Sequence, residues 1–206
     1  GYDNVSVVPN GINVEAILPR EPRLGDGLIR IVNVARLNHQ KKGQDILIKA
    51  IALLRDRGLD NLSVAFIGEG DSRELLEKLS EDLNVSEQVR FLGLKDRDYI
   101  YQHLCDYDLM CHPSRYEGFG LTVAEGMAAN LPVLVSTGDG PCEIIGQGKY
   151  GFSFENGSAE SCADALEYMV RNYDDIVAKV DIARKHIESE YSVKRMVAQY
   201  IQAYTE

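Results

Sequence analysis

The stretch "IRIVNVARLNHQKKGQDILIKAIALLRDRGLDNLSVAFIG", residues 29–68, holds two different periodicities separated by a polar turn. A short run rich in Val and Ile, around residues 30–35, is mostly apolar, as a strand covered on both faces should be. "GQDILIKAIALLRDRG" then places Ile46, Leu47, Ala50, Ile51 and Leu54 on one stripe of a helix that Gly58 stops. "LSVAFIG", residues 62–68, returns to the strand pattern. Strand, helix, strand at this interval is the unit of a parallel sheet.

The alternation continues outward. Further strands are predicted in "VRFLG" (89–93), "DLMCHPS" (108–114), "LPVLVS" (131–136) and "YGFSFE" (150–155). Helices are predicted over 71–84, 96–107, 121–130, 158–172, 173–190 and 192–204, with Ser158 and Ser192 as N-caps. The opening "VSVVPNGINVEAILP" reads as a short strand, a Pro-Asn-Gly turn and an extended stretch. The expected architecture is one α/β domain over residues 1–206: a doubly wound, mainly parallel, Rossmann-like open sheet, with residues 1–13 as a linker. Gly1 stands where a methionine would start a chain, so an excised piece of something longer is expected.

Composition narrows the function. With 22 basic against 32 acidic side chains, the net charge is −10. A nucleic-acid partner is therefore not expected, because phosphate-backbone affinity needs a field of Lys and Arg. The four cysteines form no CxxC pair and no zinc spacing, and read as reduced thiols of a cytoplasmic protein. No apolar run approaches the roughly 20 residues of a membrane span.

Ligands of such sheets bind at the carboxyl ends of the strands. The loops there are "RLNHQKKG", "GEGDSR", "GLKDRD", "PSRYEGFG" and "STGDGPCE". In "EGFGLTVAEGM", Gly118 and Gly120 stand directly before a helix whose first-turn N–H groups suit a phosphate, although any strand-to-helix turn uses glycines. Arg36 at a strand end and Lys42 before the next helix add charge-assisted donors; Lys41 reads as solvated surface. "GEGDSR" has Arg73 in place of the third glycine of a dinucleotide fingerprint. "GKY" at 148–150 is no P-loop, since Glu143 and Tyr150 occupy two of its required positions. Asp96-Arg97-Asp98 reads as helix capping and Asp106-Tyr107-Asp108 as a loop at the far end of the sheet, so no metal site is expected. Eight helical residues would separate Glu117 and Glu125 by about 12 Å, beyond the roughly 5–9.5 Å of hydrolytic carboxylate pairs. Flanking a phosphate-binding turn, they can instead accept from hydroxyls on either side of a diphosphate.

Taken in order, "VVPNGIN", "VARLNHQKKGQDILIKAIALL", "FIGEGDSRELLEKL", "VRFLG", "HPSRYEGFGLTVAEGMAANLPVLVS" and "GPCEII" resemble the C-terminal, donor-binding domain of GT-B-fold retaining glycosyltransferases of family 4. The resemblance covers essentially the whole chain, and its sharpest element is the Glu117-x7-Glu125 pair. It implies that Arg36 and Lys42 hold the donor diphosphate and that Glu117, the residue of the catalytic centre, contacts the sugar hydroxyls. Gly118, Phe119, Gly120 and Leu121 would line the sugar and phosphate, Glu125 would bind the ribose, and Arg90 and Phe91 would frame the base. It further implies a UDP-, GDP- or ADP-linked sugar as substrate, no metal or other cofactor, and an N-terminal acceptor-binding half outside this sequence. The longer enzyme would work in the cytoplasm or at a membrane periphery. A GT-B nucleotide-sugar epimerase and a non-catalytic nucleotide-binding module are the alternatives.

Overall fold

The structure, a computed structural model, describes residues 6–21, 27–138 and 140–205. Six strands form one sheet: β1 (Ile29–Val34), β2 (Leu62–Ile67), β3 (Val89–Phe91), β4 (Leu109–His112), β5 (Val133–Ser136) and β6 (Phe152–Phe154). Their order is β3-β2-β1-β4-β5-β6 and every neighbouring pair is parallel. Sequence order therefore reverses between β1 and β4. At such a point the loops leaving two neighbouring strands diverge to opposite faces and open a crevice.

Ten helices surround the sheet among the described residues: α1 (His39–Lys42), α2 (Gln44–Asp56), α3 (Arg73–Asp82), α4 (Arg97–His103), α5 (Leu121–Ala128), α6 (Gly140–Ile144), α7 (Ala159–Arg171), α8 (Tyr173–Val177), α9 (Val180–Glu190) and α10 (Val193–Thr205). Alternation along the strands divides the core in two. Ile31, Val64, Phe66, Leu109 and Cys111 face the layer built by α2, α3 and α7. Val32, Val34, Ile67, Met110 and Val135 face the opposite layer, which includes α5, α9 and the segment around Ile12, Val14 and Ile17. Both faces are covered, which is why these strands read as mostly apolar runs.

All six expected strands are present; β1 is offset by one residue and the others are trimmed by one to three residues. The opening strand is not present: residues 6–10 form no strand, while Val5 lies outside the described residues. Val14–Ala16 instead form a single 3₁₀ turn. Ile12 is pinned to the chain's far end, its N–H donating to Tyr191 O at 2.8 Å and its carbonyl accepting from Val193 N at 3.0 Å. Val14 and Ile17 point into the core, so hydrophobicity there serves packing and not a ladder. Two short helices, α1 and α6, were not expected, and the helix expected over 173–190 breaks at Ala178-Lys179 into α8 and α9.

Both expected N-caps are in place. Ser158 accepts from Ser161 N at 3.0 Å and Ser192 from Arg195 N at 3.2 Å. The two acidic triplets also take the structural roles expected of them. Asp96 caps α4, accepting from Tyr99 N at 2.8 Å. Asp108, at the amino end of β4, is buried against Arg20 at 2.9 Å and Arg30 N at 2.8 Å.

Candidate functional site

The crevice between β1 and β4 is built by two loops that lock onto each other. Beyond β1, Asn38 caps α1 by accepting from Lys41 N at 3.1 Å. Beyond β4, Arg115 and Tyr116 donate their backbone N–H groups to Lys41 O. The Arg115 guanidinium reaches across to His39 O at 2.6 Å and grips Asp45 with two bonds, at 2.8 and 2.9 Å. Asp45 is buried in the first turn of α2. Burial pushes its carboxyl up, but Arg115 and then Lys49 outweigh that and hold it below the usual range. This clamp sets the spacing between Lys42 and the 113–120 loop.

Within that frame Lys42 Nζ donates to Glu117 Oε2 at 2.5 Å. The same oxygen faces His112 Nε2 at 3.3 Å, and Ser114 Oγ lies 3.0 Å from that nitrogen. His112 and Lys42 together overcome burial and hold the Glu117 carboxyl down at about 2. The stability that follows has a defined sign. A carboxyl depressed from the usual 4.5 to about 2 contributes fully above pH 4.5, and its contribution disappears as pH falls through 2. The drop is expected to reach about 3 kcal/mol. Urea midpoints at pH 5 and pH 2.5 check it: the wild-type chain should lose distinctly more than Glu117→Gln, and parallel losses would refute the assignment.

Arg36, Lys42, His112, Glu117, Phe119, Gly120, Leu121 and Thr122 line one depression, with Asn10 at its rim. Arg36 extends into solvent with 68% of its side chain exposed and pairs with Asp71 at 3.2 Å. Gly120 caps α5 at φ +95°, a left-handed conformation that an L side chain rarely adopts. The helix's own ladder begins with Val123 N–H to Gly120 O, which leaves the Leu121 and Thr122 amides outside it at the positive end of the helix. Gly118 and Phe119 run against Gly140, where an added Cβ would stand 2.5 Å from Gly118 O. Phe119 rests edge-on against Tyr191, 5.8 Å between ring centres.

The remaining expected residues are distributed differently. Glu125 lies on α5 outside the lining of this depression, buried, with the Tyr101 hydroxyl donating to it at 3.3 Å. Burial raises its carboxyl above the usual range despite that bond. Arg90 and Phe91 are neighbours in a strand and so point to opposite faces. Phe91 stacks on Phe66 at 5.2 Å, beneath the Arg73 guanidinium. Arg90 lines a separate hollow with Arg30, Tyr107 and Asp108, toward the amino ends of β1 and β4. The structure does not bring this pair together with the Lys42–Glu117 site. Leu92 and Gly93 are what continue from β3 toward the carboxyl edge, where Gly93 O accepts from Gly68 N at 2.9 Å. Among the described residues no group of three His, Cys, Asp or Glu stands where it could hold a metal ion.

Two participants escaped the sequence reading. His112 is a titratable side chain at the carboxyl end of a central strand, and that position was its signal. The Arg115–Asp45 clamp spans 70 residues and has no local signature.

The family model described as glycosyl transferases group 1 matches residues 15–186. The chain belongs to this family. It is 30% identical over 213 residues to an uncharacterised glycosyltransferase of Methanocaldococcus jannaschii, a match covering 98% of this chain and 54% of that relative. An Anabaena protein of the HepE name, solved in complex with UDP and glucose, superposes at a TM-score of 0.84 and 20% identity, over 98% of this chain and 56% of that one. The C-terminal domain of a group 1 glycosyl transferase (LpcC) of Francisella tularensis superposes at 0.76 and 21% identity, over 89% of this chain and 100% of that domain. The chain thus spans about half the length of the Methanocaldococcus relative and carries the fold of the C-terminal half of a GT-B glycosyltransferase. Among its described residues no helix is long and apolar enough to cross a membrane.

Proposed function

We infer that this group 1 chain is the donor-binding half of a glycosyltransferase that moves a sugar from a nucleoside diphosphate to an acceptor hydroxyl with retention of configuration. The observation that carries this is the meeting of Lys42, Arg36 and the amino end of α5 in one depression of a chain with net charge −10. Three sources of positive potential in an acidic protein suit a diphosphate leaving group, whose growing charge they would stabilise without a metal ion. Glu117, ionised beside them, is an acceptor for sugar hydroxyls and the group at the reacting centre. Gly118 to Leu121 supply backbone around sugar and phosphate, and Glu125 accepts from the ribose. UDP and glucose, bound in the Anabaena relative, support the ligand class. The four free thiols suit a cytoplasmic setting.

The acceptor site belongs to a second half in this reading. Relatives about twice as long support it, as does α10. That helix exposes Val193, Val197, Tyr200, Ile201 and Tyr204 on one stripe and buries none of its residues. Such a face needs a covering partner.

The test is calorimetry with UDP, GDP and ADP, each alone and as its glucose conjugate. Lys42→Ala and Arg36→Ala are expected to weaken the bare nucleotide by roughly tenfold or more, the loss of about 1.5–3 kcal/mol from a charge-assisted bond. Lys41→Ala should leave it nearly unchanged. Glu125→Gln should weaken nucleotide and conjugate alike, and by removing a buried charge should also raise the melting temperature. Glu117→Gln should weaken only the conjugate. Affinities indifferent to Lys42 and Arg36 would remove the diphosphate assignment. A chelator should change none of these values, and loss of binding with it would restore a metal to the scheme.

A further inference from the structure

The Lys42–Glu117 pair poses a problem for the function inferred above. A diphosphate competes for Lys42, and Glu117 would then lose its nearest cation while half-buried. We propose that His112 is a positioning residue that keeps Glu117 ionised and aimed into the depression when Lys42 turns to phosphate, with Thr122 fixing the imidazole tautomer. The donor role rests on the function inferred above; the hydrogen-bond chain stands on its own geometry.

An ionised carboxylate can only accept. His112 Nε2, 3.3 Å from Glu117 Oε2, must therefore carry its hydrogen to bond there. Neutral imidazole then has its acceptor at Nδ1, and Thr122 Oγ1 stands 3.5 Å from that atom, placed to donate. Ser114 Oγ, 3.0 Å from Nε2, can accept from the same hydrogen. His112 is 2% exposed, so its ring has little solvent to turn toward. The charged and titratable side chains bonded to Glu117 are Lys42 from α1 and His112 from β4, and Lys42 is the more exposed of the two, at 24% against 3%.

Thr122 gives the chain its direction. It belongs to the first turn of α5, whose Gly120, Leu121 and Thr122 line the depression, so the hydroxyl that orients His112 moves with the backbone proposed for phosphate. A second-layer donor of this kind fixes a functional side chain through its own hydrogen bond. Lysine holds Glu117 by charge, and histidine holds it by direction.

The decisive experiment has a ligand-free arm and a ligand arm, both on this chain. Carbon-13 NMR of the Glu117 carboxyl reports its titration. His112→Ala is expected to raise the midpoint by about one to two pH units, the equivalent of one charge-assisted bond. His112→Gln, which puts an amide N–H near the Nε2 position, should restore most of it. Thr122→Val, a volume-conserving change on a half-buried side chain, should convert nitrogen-15 imidazole shifts from the Nε2–H tautomer toward a mixture. In calorimetry, His112→Ala should weaken UDP-, GDP- or ADP-glucose about tenfold more than the matching bare nucleotide, with recovery in His112→Gln.

An unmoved Glu117 midpoint in His112→Ala, or equal shifts in the Ala and Gln variants, would overturn the proposal. So would unchanged imidazole shifts in Thr122→Val, which needs no change inside the core. Equal loss of nucleotide and conjugate in His112→Ala would show a merely structural histidine. If none of the nucleotides binds the wild-type chain while the titrations behave as expected, the donor function fails and the hydrogen-bond chain stands.

Discussion

A Gly43→Ala chain is expected to be about 2–5 kcal/mol less stable than the wild type and to lose the geometry of Lys42. Gly43 ends α1, donating to His39 O at 2.9 Å, and also starts α2, accepting from Ile46 N at 2.9 Å. It does both at φ +64°, a conformation that costs an L residue roughly 1–2 kcal/mol. A Cβ there would also stand 1.9 Å from the Pro113 carbonyl oxygen, and neither group is a flexible side-chain tip. The β1 and β4 loops would have to separate, adding roughly 1–3 kcal/mol of overpacking. Gly58 provides the control: its φ is +82°, but nothing lies within 4 Å of an added Cβ. Gly58→Ala should show the backbone strain alone. Urea midpoints at unchanged m-value measure both, and equal losses would show that the close approach to Pro113 contributes nothing.

Removing Arg115 acts on the same frame from the other side. Arg115→Ala is expected to cost about 3–5 kcal/mol, because it strands Asp45 as a buried charge whose remaining cation, Lys49, is half-exposed. It also removes the bond to His39 O that holds α1 against the β4 loop. Asp45→Asn in the same chain should recover part of the loss, since the stranded charge is gone. The two substitutions together form a cycle in which strict additivity would refute a coupled pair. A chain with Arg115→Ala that still folds should bind nucleotide weakly, as Lys42 and Glu117 would no longer be held at a fixed separation.

The sequence was most legible where a local signal coincides with a global one. The inner strands β1, β2, β4 and β5 are covered on both faces, so their mostly apolar runs are visible without knowing their neighbours. The helical stripe of α2 and the caps at Ser158 and Ser192 are equally local. Gly118, Gly120, Arg36, Lys42 and Glu117 could be nominated because loops at strand ends that precede helices are few, and charge or glycine there stands out. Val14 and Ile17 misled for the same reason: an apolar residue reports burial, not which surface it is buried against.

What the sequence determined by itself was the α/β class, the parallel sheet and the group of loops that could carry a ligand, because periodicity and turn chemistry are short-range. Tertiary structure alone decided which of those residues work together. It sent Arg90 and Phe91 to opposite faces of β3, Arg90 into a hollow apart from the Lys42–Glu117 depression, and set Glu125 against Tyr101. It also recruited His112 and the Arg115–Asp45 clamp. Hydrogen bonds and ion pairs act over about 3–4 Å in space and are indifferent to separation along the chain. Which partners meet was settled only when β4 paired with β1 across the 74 residues between Val34 and Leu109.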